Sequence, residues 1–193
     1  MTATEPVQTM PAAALATERL TLRTFTEGDI EDVYTGITDP DTQRWLPLPR
    51  PGAPYTRADA REWCLVLAPE SRASGDGQHW AVVETETAMF VGSFGLTRTM
   101  WKAHSTEIGY WVAPWARGRG FATEAVIAIS RWALTSLGFQ RVELKAAAGN
   151  TASRRVAEKS GFGYEGTERN AMPLHRGRTD LAVYSLIPSD LER

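Results

Sequence analysis

Two periodicities alternate along this chain. In "RLTLRTF" (19–25), Leu20 and Leu22 sit between polar neighbours, the period-two pattern of a first strand. Thr26, with Asp29 three residues on, opens "TEGDIEDVYTGI" as a capped helix. The proline-rich stretch 39–56, carrying Trp45 and Tyr55, predicts an irregular segment. Thr56 and Asp59 open a second helix expected to run to about Leu67, followed by a loop over 71–78. "HWAVVE" (79–84) and "MFVGSFGLTRT" (89–99) read as strands joined by a short turn, and "STEIGYWVA" (105–113) as another strand. From Phe121 the period changes: Phe121, Ala125, Ile129 and Trp132 share one helical face, extended by Ala122, Val126, Ala133 and Leu137, and Gly138 ends it. "RVELKAAA" (141–148) returns to period two, 151–160 is a short helix stopped by Gly161, and the remainder predicts a closing strand pair. The layout is α+β. Residues 1–16 show no period and are expected to form a flexible tail, leaving 17–193 as one domain.

Composition narrows the function classes. With 193 residues, 42% apolar and 23% charged, the chain suits one globular domain with a real core. A net charge of −2 argues against broad adhesion to nucleic acid or an anionic membrane. The single Cys64 excludes an internal disulfide and any multi-cysteine metal site, and it is expected to be a buried apolar residue rather than a nucleophile. His79, His104 and His175 lack metal-ligand spacing, so no metal is expected. No apolar run approaches the ~20 residues of a membrane span. A basic n-region and a continuous apolar segment are both missing at the N-terminus, so a cytoplasmic protein is expected.

The segment "WVAPWARGRGFATEA" (111–125) carries the strongest chemistry. A strand ends at Pro114, Arg117-Gly118-Arg119-Gly120 follow, and a helix begins at Phe121. Glycine lets backbone approach a ligand closely, and a helix start offers unpaired N–H groups to an anion. The alternative is a tight turn with solvated arginines. A Walker loop needs Gly-Lys-Ser/Thr, which is absent; a dinucleotide fingerprint needs glycine or alanine where Thr123 stands.

Arg117-x-x-Gly120-x-Ala122 resembles the Gln/Arg-x-x-Gly-x-Gly/Ala motif of the GNAT acetyltransferases. The likeness extends outward in order through "RLTLRTFTEGDIEDVY", "RWLPLP", "PYTRADAREW", "EIGYWVAP", "NTASRRVAEKSGFGYEG" and "GRTDLAVYSL", as in the ribosomal-protein N-terminal (RimJ/RimL-like) branch, over about residues 17–190. It implies the GNAT fold: a mixed, mostly antiparallel sheet splayed between two central parallel strands, here 106–113 and 141–148, and flanked by helices. It implies acetyl-CoA as cosubstrate, its pantetheine arm paired with the backbone of Tyr110, Trp111 and Val112 as an added strand. The N–H groups of Arg117, Gly118, Arg119, Gly120, Phe121, Ala122 and Thr123 would hold the pyrophosphate. Asn150 would bond the arm, and would equally serve as N-cap of the helix at Thr151.

The implied reaction is direct acyl transfer from a thioester to an amine. The amine must lose a proton, the thioester oxygen needs a donor, and the leaving sulfur gains from one. By resemblance Glu107 is the base, directly or through water, although the same carboxylate would also serve as an arginine's partner. The Val112 N–H is the oxyanion donor. Many relatives carry a tyrosine seven residues after the asparagine; here Ala157 stands there, and Ser153 matches the RimL-like serine expected to hydrogen-bond the sulfur. Tyr184 offers another hydroxyl or an ordinary core residue.

Trp45 and Tyr55, with Trp101 and the 98–104 loop, are expected to line the acceptor cleft beside Glu107; taken singly, each would also suit core packing. The acceptor is a peptide N-terminal or small-molecule amine, and a homodimer is expected from the aromatics and the final hairpin. Two other readings stay open. One is an acyl-CoA binding or sensing module with little turnover. The other is an acetyltransferase for an antibiotic or amino-acid-type amine.

Overall fold

The computed structural model describes residues 9–192. Its strands are β1 (Leu15–Ala16), β2 (Leu20–Arg23), β3 (Gln78–Glu84), β4 (Phe90–Met100), β5 (Ser105–Val112), β6 (Arg141–Ala147), β7 (Gly163–Pro173) and β8 (Arg178–Leu186). Its helices are α1 (Ile30–Thr38), α2 (Pro40–Trp45), α3 (Arg57–Glu62), α4 (Ala68–Ser74), α5 (Phe121–Thr135) and α6 (Thr151–Lys159). The strands form one sheet of order β1-β2-β3-β4-β5-β6-β8-β7. Neighbours are antiparallel except β5 and β6, which run parallel. This is the mixed sheet expected, with helices on both faces.

Tyr110 and Trp111 show how the faces are allotted. Adjacent residues of a strand point to opposite faces. Tyr110 reaches Ser153 of α6, whereas Trp111 packs so closely on α1 that a Cβ at Gly36 would stand 2.4 Å from its ring. On the Tyr110 face α5 lays Phe121, Ala125, Ile129 and Ala133 into the core, and its Trp132 meets Trp80 of β3 edge to face. The amphipathic stripe of 121–137 thus buries as its spacing predicts. Gly138, in the left-handed region at φ 71°, ends the helix, and the Phe139 N–H bonds back to the Ala133 carbonyl.

Three segments depart from the sequence expectation. The expected tail is ordered from residue 9: Met10 is fully buried, and the Ala13 carbonyl accepts from Trp80 Nε1 at 2.7 Å and Gln78 Nε2 at 3.0 Å. Too few residues repeat there for a period to show; residues 1–8 of that segment lie outside the described residues. Within the supposedly irregular 39–56, α2 forms because Asp39 caps it, accepting from Thr42 N–H at 2.9 Å, and Pro40 fits the first turn. Residues 71–74, expected as loop, continue a helix that passes through Pro69. Proline brings no N–H, and the chain widens just before it into a π turn over Trp63–Leu67, ending only at Gly75 (φ 78°).

Candidate active site at the splayed strands

The pairing of β5 with β6 stops early. It runs from Ser105 opposite Arg141 to Glu107 opposite Glu143, and no partner residues follow. Across the other edge β5 stays paired with β4 up to Val112 opposite Gly92, and the Ala113 N–H bonds the Val91 carbonyl at 2.8 Å. Main-chain groups alternate sides along an antiparallel strand. Counting back from Ala113, Trp111 and Gly109 direct theirs to β4, while Ile108, Tyr110 and Val112 direct theirs toward β6, into the opening. Tyr110 and Val112 therefore present a free backbone edge. Trp111 does not: its backbone pairs with Ser93 and its ring is held by Phe90 and Gly36, which corrects its expected place against the arm.

At the C-terminal end of β5 the chain turns through Pro114–Ala116 into the glycine loop. Gly118 (φ 76°) and Gly120 (φ 81°) both lie in the left-handed region. A Cβ at Gly118 would meet nothing within 4 Å, and one at Gly120 only Arg19 Nη2 at 3.6 Å, so conformation rather than space calls for glycine there. Gly120 caps α5 without a side chain; the first intrahelical bond is Glu124 N–H to the Gly120 carbonyl, so the N–H groups of Phe121, Ala122 and Thr123 have no helical acceptor. The result is a cup of amides with the positive end of α5 behind it.

The loop arginines are engaged elsewhere. Arg117 bonds Asp39 Oδ2 at 2.6 Å and Thr42 Oγ1 at 2.7 Å, tying the loop to α2. Burial pushes the Asp39 carboxyl up, but the Arg117 guanidinium and the Thr42 N–H together hold it below its ordinary value. Arg119 pairs with Glu84 and lies over the Phe121 ring at 4.5 Å. Arg19, which sequence reasoning missed, donates to the Arg119 carbonyl at 3.1 Å and to Glu124 Oε2 at 2.8 Å, and stacks on Phe121 at 4.8 Å. Glu124 also accepts from Thr17 Oγ1 and the Arg19 N–H. Nothing in the spacing of Arg19 and Glu124, more than a hundred residues apart, signals this clamp.

The turn after β6 brings in α6. Asn150 Oδ1 accepts from the Ser153 N–H at 3.1 Å and caps the helix, leaving the amide nitrogen free for another partner. Ser153 Oγ lies 3.0 Å from the Tyr110 hydroxyl. Ala157, where many relatives carry tyrosine, is fully buried. Tyr184 is buried too, its oxygen accepting from Arg154 Nε at 3.0 Å, so it is no free hydroxyl in the opening.

Glu107 lies at the apex of the opening, on the Trp111 face, with its carboxylate 17% exposed and 3.0 Å from Arg98 Nη1. It borders a cavity of about 370 Å³ shared with Asp76, Arg98, Met100, Glu143 and Lys145. Lys145 bonds Glu168 at 2.7 Å and approaches Glu143 at 3.7 Å; the Glu168 carboxylate, with help from Glu107 and Glu143, holds the ammonium above its ordinary range. Arg141 links Glu143 to Glu165, and that guanidinium pulls the Glu165 carboxyl down to about 2. A charged row, acidic in sum, thus crosses this face from β5 to β7. Its β6 part was legible: in "RVELKAA", Arg141, Glu143 and Lys145 alternate with the buried Val142, Leu144 and Ala146.

The aromatics separate. Trp45 sits by the β6–α6 turn, its ring 3.2 Å from where a Gly149 Cβ would stand, with the Arg44 guanidinium above it. Tyr55 is half-buried against the core, and burial raises its phenol. Trp101 is fixed by its Nε1 to the Gly75 carbonyl at 2.8 Å and by Phe139, and it does not border the cavity beside Glu107, contrary to expectation. His175 Nδ1 accepts from the Gly52 N–H at 3.0 Å, joining the 46–56 segment to the β7–β8 turn. Cys64 is buried, its thiol pushed up to about 12, which makes it a poor nucleophile as expected.

Comparison with known proteins bears on the family and the fold. Residues 19–163 match the acetyltransferase (GNAT) domain family. An uncharacterized N-acetyltransferase of Bacillus subtilis (strain 168), YoaA, is 27% identical over 173 residues, 90% of this chain and 96% of the relative. The solved structure of Mycobacterium smegmatis RimJ in complex with CoA-disulfide superposes with a TM-score of 0.81 at 22% identity, covering 90% of this chain and 84% of that one. RimL, a ribosomal L7/L12 α-N-protein acetyltransferase solved with coenzyme A, gives 0.78 at 18% identity, covering 93% and 98%. The unpaired β5 edge, the amide cup at α5 and the family match converge: the chain belongs to the acetyltransferase (GNAT) domain family and is an N-acetyltransferase.

Proposed function

We propose that this chain transfers the acetyl group of acetyl-CoA to a primary amine by direct attack in a ternary complex, as a RimJ/RimL-like acetyltransferase. The observation that carries the reading is the alignment of two unused sets of backbone donors. The β6-facing edge of Tyr110 and Val112 leads along β5 to the free N–H groups at Phe121, Ala122 and Thr123. An extended amide-bearing arm fits the first set, and a pyrophosphate the second. Acetyl-CoA would supply the acetyl group as an activated thioester. Arg19, Arg117 and Arg119 shape the cup through their carboxylates.

The remaining chemistry belongs to side chains at the apex. Glu107 takes a proton from the amine, for which the partly enclosed carboxylate and the adjoining cavity give room. The Val112 N–H, directed into the opening, offers the hydrogen bond an oxyanion needs. The acceptor enters over the charged row. Its excess of carboxylates favours an ammonium group, and the open sheet face beyond leaves room for a following peptide. A protein or peptide N-terminus therefore suits this site better than a compact amino acid whose own carboxylate would meet Glu143 and Glu168.

The test is thiol release from acetyl-CoA in the presence of N-terminal peptides, free amino acids, polyamines and aminoglycosides. Release with peptides supports the reading. Release confined to small amines would replace the peptide acceptor with a small-molecule one. Tight CoA binding with no release for any amine would favour the binding-module reading instead.

A further inference from the structure

One hydrogen bond ties the splayed part of β5 to α6. Tyr110 stands on β5 beyond the last residue paired with β6, and Ser153 in the first turn of α6. Their oxygens are 3.0 Å apart. Both ends are fixed. The Tyr110 ring stacks on Phe94 with centroids 5.2 Å apart and planes 8° from parallel, and Ser153 is pinned by the Asn150 cap.

Counting protons shows what the pair can do. Each hydroxyl has one proton to give, and one of the two is spent on the bond between them. The other has no acceptor among the described residues. Tyr110 stays protonated, since burial pushes its phenol up to about 12. When it donates, Ser153 becomes the acceptor and its own proton is released. Without that donor, the Ser153 hydroxyl is free to turn back to a carbonyl one helical turn earlier, the usual local partner of a serine.

We propose that Tyr110 is a positioning residue, which aims the Ser153 hydroxyl at the sulfur of the thioester and of the product thiolate. The proposal rests on the acetyl-CoA reading above. The entering ammonium first gives one proton to solvent; as the resulting neutral amine forms the carbon–nitrogen bond, the carbon–sulfur bond breaks and its electron pair stays on sulfur. The surplus amine proton goes to Glu107. Ser153 keeps its proton and donates a hydrogen bond to the thiolate.

The experiment follows the ultraviolet absorbance of the bound CoA thiolate against pH, in the full chain and in Tyr110→Phe, Ser153→Ala and the double variant. Binding of desulfo-CoA, which lacks the sulfur, is measured beside it. A hydrogen bond to a charged group is strong enough to shift the thiol midpoint by about one pH unit. Each single variant is expected to raise the midpoint by that amount. The double variant should go no further, and desulfo-CoA affinity should stay within about twofold throughout, the behaviour of residues acting as one unit. A normal midpoint in Tyr110→Phe with a raised one in Ser153→Ala would overturn the role of Tyr110. Additive shifts would overturn the coupling. If the unaltered chain binds neither CoA nor desulfo-CoA, it is the cosubstrate reading that fails.

Discussion

Gly120 allows strain and charge to be separated at one position. Its φ of 81° and ψ of −2° place it in the left-handed region, where a Cβ costs roughly 1–2 kcal/mol. The nearest atom to that Cβ would be Arg19 Nη2 at 3.6 Å, an ordinary contact, so Gly120→Ala adds strain without a clash. The strain is present with or without ligand. Gly120→Ala should therefore lower Tm by roughly 2–8 °C, at about 2–4 °C per kcal/mol for a chain of this size, and change CoA affinity less than about tenfold. Gly120→Glu carries the same strain and adds a negative charge beside the free amides of α5. At ~5 Å from a phosphate and an effective dielectric of ~20, that charge costs about 3 kcal/mol, so Kd for CoA should rise at least ~100-fold. Titration calorimetry with CoA and thermal melts of the free protein read the two effects apart. Equal losses of affinity in both variants, or unchanged affinity in Gly120→Glu, would refute the assignment of this loop to phosphate.

Further outcomes follow from other residues. Glu107→Gln should leave CoA affinity intact and lower kcat by about 100-fold or more near neutral pH; an unchanged kcat would remove Glu107 as base. Gly36→Ala pushes a Cβ to 2.4 Å from the Trp111 ring, and overpacking of this kind should cost about 1–3 kcal/mol, seen as a lower midpoint in urea. His79, set against Trp63 and over Gly95, is held down to about 4 by desolvation. A base depressed on folding contributes stability above its ordinary 6.5 that is lost as pH falls toward 4, so thermal stability should drop across that window and drop less in His79→Gln.

What the sequence revealed and what it hid follow from the range of the interactions. Strands β2 to β8, α5 and the glycine loop were legible because period, cap and left-handed glycine are local signals, and the ordered resemblance joined them into one fold, whereas β1 (Leu15–Ala16) fell in the stretch read as a tail. The cap and first turn of α2, Asp39-Pro40, were equally local and were masked only by the surrounding prolines. The direction of the β5 backbone was harder. Choosing Tyr110 and Val112 over Trp111 needs the pairing partner on β4, which no single strand discloses. The Arg19–Glu124 clamp and the Tyr110–Ser153 bond join residues distant in sequence and have no local signature. The acidic row gathers β5, β6 and β7, so the glutamates that surround Lys145 could be placed on faces but not brought together.

We propose acetyl transfer from acetyl-CoA to an amine, with Glu107 as the base. It is tested most directly by incubating isotope-labelled acetyl-CoA with an N-terminal peptide panel, then measuring by mass spectrometry the label on the α-amine against the thiol released. One labelled amine per thiol is expected, with transfer sharply reduced in Glu107→Gln while CoA still binds. Tight CoA binding without labelled amine, or equal labelling in Glu107→Gln, would contradict it.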